Sequence, residues 1–118
     1  MIGITYTGCA YTNVAAGAGT TYYPSGEIGS TTATAGSSFT VDAKRVVIYA
    51  IVVRTFTAST TEFQLQSHDG LSVIAAITPD RAGTINFGPV GLEVPYGWRL
   101  VQGATTASTL MVVWKKLA

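Results

Sequence analysis

His68 and Asp69 are adjacent, with Ser67 and Ser72 on either side, and these are the side-chain types that a hydrolase uses as base, orienting acid and nucleophile. Catalysis by such a set needs the three groups brought in from separate elements, so that a serine hydroxyl reaches the imidazole while the carboxylate steers it from behind. Here they crowd into one short stretch. Asp69-Gly70 is a turn dipeptide, and no Gly-x-Ser-x-Gly sequence supplies the sharp bend that presents a nucleophile. The stretch reads as a turn, with His68 a turn residue, and no catalytic residue is assigned.

The other candidate chemistries fall in the same way. Glu27, Asp42, Glu62, Asp69, Asp80 and Glu93 are the only carboxylates, and nothing groups them as a calcium loop would group its oxygen ligands. One Cys and one His cannot make a zinc site of the usual kind, so no metal and no cofactor is expected. Gly17-Ala18-Gly19 lacks the lysine and the strand-to-helix setting of a phosphate loop. Trp98, Tyr96, Tyr22 and Tyr23 offer an aromatic platform for sugars or for an interface, whereas core packing accounts for Trp98 and Trp114 more simply. The chain is therefore read as a binding or structural module and not an enzyme.

Composition sets the class. The 118 residues suit one domain. Hydrophobic residues make up 47% and charged residues only 11%, well below the share of about 25% in ordinary domains. A neutral, Thr- and Val-rich surface with so little charge associates readily, so self-association is expected. The net charge of +1 with scattered basic residues leaves no footprint for nucleic acid. The N-terminal residues Met1-Ile2-Gly3-Ile4 lack the basic start and long apolar stretch of a signal peptide, and the run Val46 to Val53 is too short to cross a bilayer as a helix. Neither secretion nor membrane insertion is expected. Cys9 stands alone, so the fold does not rest on an internal disulfide.

The elements that would position any site are strands. Alternation marks 63–66, 85–87, 92–94, 98–100 and 110–114, separated by turn chemistry at His68-Asp69-Gly70, Pro79 to Gly83, Gly88-Pro89, Pro95-Tyr96-Gly97 and Gly103 to Thr106. Val46 to Val53 is apolar without alternation, as in a central strand covered on both faces. The reading is all-β: a single antiparallel β-sandwich, jelly-roll-like, with a loop-rich N-terminal arm. Residues 1–36 form that arm and its loops within the same domain, and residues 37–118 form the sandwich core.

The order Ser37 to Val41, the strand Val46 to Val53, Glu62 to Leu65, the turn at Asp69-Gly70, Val73 to Ile77, Gly83 to Phe87, Gly88 to Leu92 and Thr109 to Trp114 resembles the small jelly-roll proteins on the virions of tailed bacteriophages. The resemblance covers residues 37–115 and rests on the succession of strands and turns. It implies a capsid decoration, or cement, protein: a structural module, often trimeric, made in the host cytoplasm and seated on the outer capsid surface. Its partners would be the major capsid protein and further copies of itself. On that reading Ile2, Ile4, Tyr6, Tyr11, Tyr22 and Tyr23 of the arm make the inter-subunit contacts. An alternative of another class is a tail or head-fibre module that recognises a host-surface carbohydrate through exposed aromatics and loop hydroxyls.

Overall fold

The computed structural model describes residues 9–17, 19–24, 29–36, 45–56, 62–94, 97–103 and 108–117. Every regular element among them is a strand: β1 (Ala10–Val14), β2 (Thr21–Tyr23), β3 (Gly29–Thr32), β4 (Thr34–Ala35), β5 (Val46–Thr55), β6 (Phe63–Ser67), β7 (Val73–Ile77), β8 (Gly83–Asn86), β9 (Leu92–Val94), β10 (Trp98–Gln102) and β11 (Thr109–Lys116). Sheet A runs β3-β1-β11-β5-β8, with β9 also on β5, and sheet B runs β4-β2-β10-β6-β7. All pairs are antiparallel except β1 with β3.

The pairing is nested. β6 pairs with β7, β5 with β8 and β9, β2 with β10, and β1 with β11, while the chain alternates between the sheets on either side of the β6–β7 turn, β8 and β9 together taking one place in sheet A. One long hairpin rolled into two layers has that pattern, which makes the sandwich a jelly roll. β3 and β4, inserted between β2 and β5, extend one edge of each sheet.

Alternation delivers one face of each strand to the space between the sheets. Sheet A contributes Ala10, Val14, Val46, Ile48, Ile51, Val53, Val94, Leu110, Val112 and Trp114, and sheet B contributes Tyr22, Phe63, Leu65, Trp98 and Leu100. At the centre Trp98 and Trp114, one from each sheet and both fully buried, meet edge to face with ring centroids 6.0 Å apart. The Trp114 indole Nε1 donates to the buried Thr12 Oγ1 at 2.8 Å, so β11 is tied to β1 inside the core as well as along the ladder.

The non-alternating apolar run of β5 has a local cause. Val113 lies opposite Ala50 but Trp114 lies opposite Ile48, so Tyr49 is an extra residue, a bulge. The bulge resets the phase, and Ile48 and Ile51 both face inward. On the other face of sheet A a second, smaller cluster forms from Cys9, Ala50 and Val113, with Tyr11, Tyr49 and Met111 packed on it. Burial there raises the thiol pKa of Cys9, and the charge of Lys115 only partly offsets the rise.

The sandwich begins earlier than residue 37. β1 is an inner strand of sheet A between β3 and β11, and β2 is an inner strand of sheet B between β4 and β10, so residues 10–14 and 21–23 belong to the core layers and not to an arm. In β1 the small and polar Ala10, Thr12 and Asn13 hide this, whereas the run Gly19 to Tyr23 before Pro24 carries a strand signal that β2 bears out. Thr12 is buried because it accepts the indole proton, a role that its residue type does not advertise.

Trp114→Ala should cost about 3–5 kcal/mol in chemical denaturation, the range for removing a fully buried large aromatic. Thr12→Val, which keeps the shape and removes the indole's acceptor, should cost about 1–3 kcal/mol.

Candidate functional site

The outer face of sheet B carries a connected set of polar side chains. On β6, Phe63 and Leu65 point into the core, so Gln64 and Gln66 point out, and Glu62 continues the same column just before the strand. Arg99 of β10 lies directly opposite Gln66, and Val101 opposite Gln64. Tyr22 of β2 pairs with Leu100 and is buried, which turns Tyr23 outward beside Arg99. Val73 of β7 stands opposite Gln66 and Ala76 opposite Gln64. The sheet thus presents a row Tyr23, Arg99, Gln66, Val73 and, next to it, a row Thr21, Val101, Gln64, Ala76.

Hydrogen bonds join the polar members into one chain. Arg99 Nη1 donates to Tyr23 Oη at 3.3 Å and Arg99 Nε to Gln66 Oε1 at 2.8 Å. Gln66 Nε2 donates to Gln64 Oε1 at 2.8 Å, and Gln64 Nε2 donates to Glu62 Oε1 at 2.9 Å. The three links from Arg99 through Gln66 and Gln64 to Glu62 all run from the guanidinium towards the carboxylate, so each amide is polarised in the same sense by its neighbours. Arg99 makes no ion pair among the described residues, where the pairs are Arg45 with Glu93 and Arg81 with Asp80.

The β6–β7 turn closes over the guanidinium. Gly70 has a φ of +76° and its Cα faces the Arg99 guanidinium, so a side chain there would strain the turn and displace the guanidinium. Tyr23 meets His68 edge to face at 5.9 Å. The turn is closed by Asp69, whose Oδ1 accepts from Ser67 Oγ at 2.7 Å and from the Leu71 N–H at 3.0 Å, while the Ser72 N–H donates to Ser67 Oγ at 3.1 Å. Those bonds hold the Asp69 carboxyl below its ordinary range, the Leu71 amide contributing most. Ser67 and Asp69 therefore serve the turn, which is the reading that the sequence supports.

Of the residues expected at an interface, the three that the structure describes are dispersed. Ile2, Ile4 and Tyr6 lie outside the described residues. Tyr11 is half-buried on the outer side of sheet A, Tyr23 is half-buried on the outer side of sheet B, and Tyr22, 7% exposed, sits in the core and is closed to a neighbouring subunit. The aromatic platform also dissolves: Trp98 and Tyr22 are core residues, and Tyr96 lies outside the described residues. Gln64, Gln66 and Arg99 were not singled out from the sequence. The alternation of Phe63-Gln64-Leu65-Gln66 put both glutamines on one outer face, but nothing local places Arg99 beside them.

Clefts lined by described residues lie elsewhere. One of about 250 Å³ opens where the sheets part, between Val53, Ile77, Ile85 and the loop Thr78 to Gly83. Another, of about 360 Å³, lies at the end of sheet A, where Arg54 Nη1 donates to Asn13 Oδ1 at 2.5 Å. Among the described residues no group of three or more His, Cys, Asp or Glu comes together. Comparisons with protein-family models, with curated proteins and with solved structures give no match to the chain.

The Asp69 carboxyl should titrate below the value of the same residue in an unfolded peptide, as read from its side-chain ¹³C shift. Its folded pKa is depressed, so its contribution to the turn is fully present above the unfolded pKa. That contribution is lost as pH falls through the folded value, and amide exchange at Leu71 should quicken there.

Proposed function

We propose that the protein is a structural virion component, a capsid decoration or cement module that strengthens a shell through protein–protein contacts with the major capsid protein and with its own copies. The reading rests on the resemblance of the strand order to the small jelly-roll virion proteins. A jelly roll hosts many functions, so the fold alone does not carry it. The observation that supports association is the edge of sheet B.

β7 pairs with β6 on one side and with no described strand on the other. Its sequence, Val73-Ile74-Ala75-Ala76-Ile77, has no charge and no proline, the two devices by which edge strands are usually blunted. Val73 is 53% exposed and Leu71, in the preceding turn, 85% exposed. An apolar strand whose outer row of backbone donors and acceptors no described strand takes up fits another chain by strand addition.

The other edge of sheet B, β4, is only Thr34–Ala35, so the two edges are unlike. A β7 contact onto a different surface of the next copy is heterologous, and such a contact closes into a ring, a trimer for one, where its rotation closes. Repetition of the contact around a lattice multiplies a modest interface into strong total stabilisation, without any reacting group.

In light scattering the purified chain should exceed the monomer mass, and it should co-sediment with undecorated phage shells. Val73→Lys/Ala76→Lys should remain folded, fall to monomer and leave the shells. A wild-type chain that stays monomeric across concentrations and passes the shells by would sink the proposal.

A further inference from the structure

We infer that the outer face of sheet B binds saccharide chains, through the strip Tyr23, Arg99, Gln66, Gln64 and Glu62. The strip lies on β2, β10 and β6 and borders the association edge at Val73 and Ala76, but it does not rest on the assembly reading.

The strip holds both kinds of hydrogen-bonding group. The half-buried Gln64 and Arg99 offer N–H donors, with buried Gln66 holding the two in place. Gln64, Glu62 and Tyr23 offer acceptor positions beyond those used in the chain of bonds that joins them. A phosphate or a carboxylate only accepts, and it would be repelled by the Glu62 end. A hydroxyl both donates and accepts, so neighbouring hydroxyls on a sugar ring match planar amide and guanidinium edges lying side by side. The formal charges of Arg99 and Glu62 cancel, which suits a neutral ligand.

A sugar also has an apolar side made of C–H groups. Val73, Val101 and Ala76 stand among the polar members, exposed Leu71 lies at the margin, and Tyr23 flanks Arg99. Each apolar contact lies within one strand spacing of a polar one.

The strip is rigid before any ligand arrives. Gln66 is buried and bonded at both ends of its amide, and Arg99 is held by Gln66, Tyr23 and the bare backbone of Gly70. Binding would freeze few rotamers, so less entropy opposes it. The row from Tyr23 on β2 to Val73 on β7 crosses three strand spacings, about 14 Å, longer than one sugar ring. A flat face of that length suits an extended chain, whereas a single sugar would be better enclosed in a pocket. A peptide strand would instead seek the backbone of an edge, which this face does not present.

The test is ¹⁵N NMR of the full chain titrated with hexasaccharides of β-1,4-glucose, α-1,4-glucose, β-1,4-xylose and β-1,4-N-acetylglucosamine, and with heparin as an anionic control. At least one neutral hexasaccharide should give saturable shifts at the Gln64 and Gln66 side-chain amides and at Arg99 Nε–H. Arg99→Met should weaken that binding about tenfold or more, as expected for loss of a charge-assisted hydrogen bond. Gln64→Ala and Tyr23→Phe remove groups at the surface and keep the test open if Arg99→Met fails to fold; each should weaken binding severalfold. Shifts with heparin alone that vanish in salt would overturn the inference in favour of simple charge attraction at Arg99. No response to any neutral saccharide at millimolar concentration, or shifts confined to the cleft at Ile77 to Ile85, would overturn it too.

Discussion

A sandwich has two layers, so each sheet turns only one face to the common core, and the rest of this molecule follows from how that rule is met. Trp98 and Trp114, on consecutive strands that belong to opposite sheets, fill the middle of the gap against each other. Two large rings in edge-to-face contact set the local separation of the layers. The Trp114 indole then demands an acceptor in a dry place, and Thr12 on the neighbouring strand supplies it across 102 positions of sequence. An unmet indole N–H in that position would cost about as much as a core methylene or more.

With the inner faces committed, the two outer faces take different characters. Sheet A turns Tyr11, Tyr49, Met111 and the small residues Cys9, Ala50 and Val113 to its outer side, and the bulge at Tyr49 lets a continuous apolar strand serve both sides. Sheet B turns out a hydrogen-bonded chain of glutamines and arginine. The difference comes from β6 and β10, where Gln64, Gln66 and Arg99 alternate with core residues. Both strands are interior to the sheet, so these polar groups ride on backbone that is hydrogen-bonded on both sides. Precision in the strip is inherited from the ladder beneath it.

Nested pairing also orders the contacts by distance along the chain. β6 and β7 meet across a short turn, whereas β1 and β11 meet from near the two ends. Closing the outermost pair requires most of the chain to be in place, and a topology so rich in non-local pairs belongs with slowly folding all-β domains. The tight turn around Ser67, Asp69 and Gly70 has two roles on this view: it is a local starting point for the roll, and it is the lid on Arg99.

Strand character, the absence of helical periodicity, the turn at Asp69-Gly70, the central place of Val46 to Val53 and the burial of Trp98 and Trp114 were all determined by the sequence alone. Each rests on a local signal: alternation, β-branching, turn dipeptides or a side chain too large and apolar to leave in water. The membership of β1 and β2 in the layers, the burial of Tyr22, and the meeting of Arg99 with Gln66 and Tyr23 were decided by tertiary structure. Ala10 and Thr12 look like loop residues until a tryptophan from the far end of the chain packs on them. Likewise, Tyr22 and Tyr23 are equivalent by type, and only pairing with Leu100 selects which one enters the core. Local physics names the strands, but register is a relation between strands, and a shift of one residue exchanges every inner side chain for an outer one.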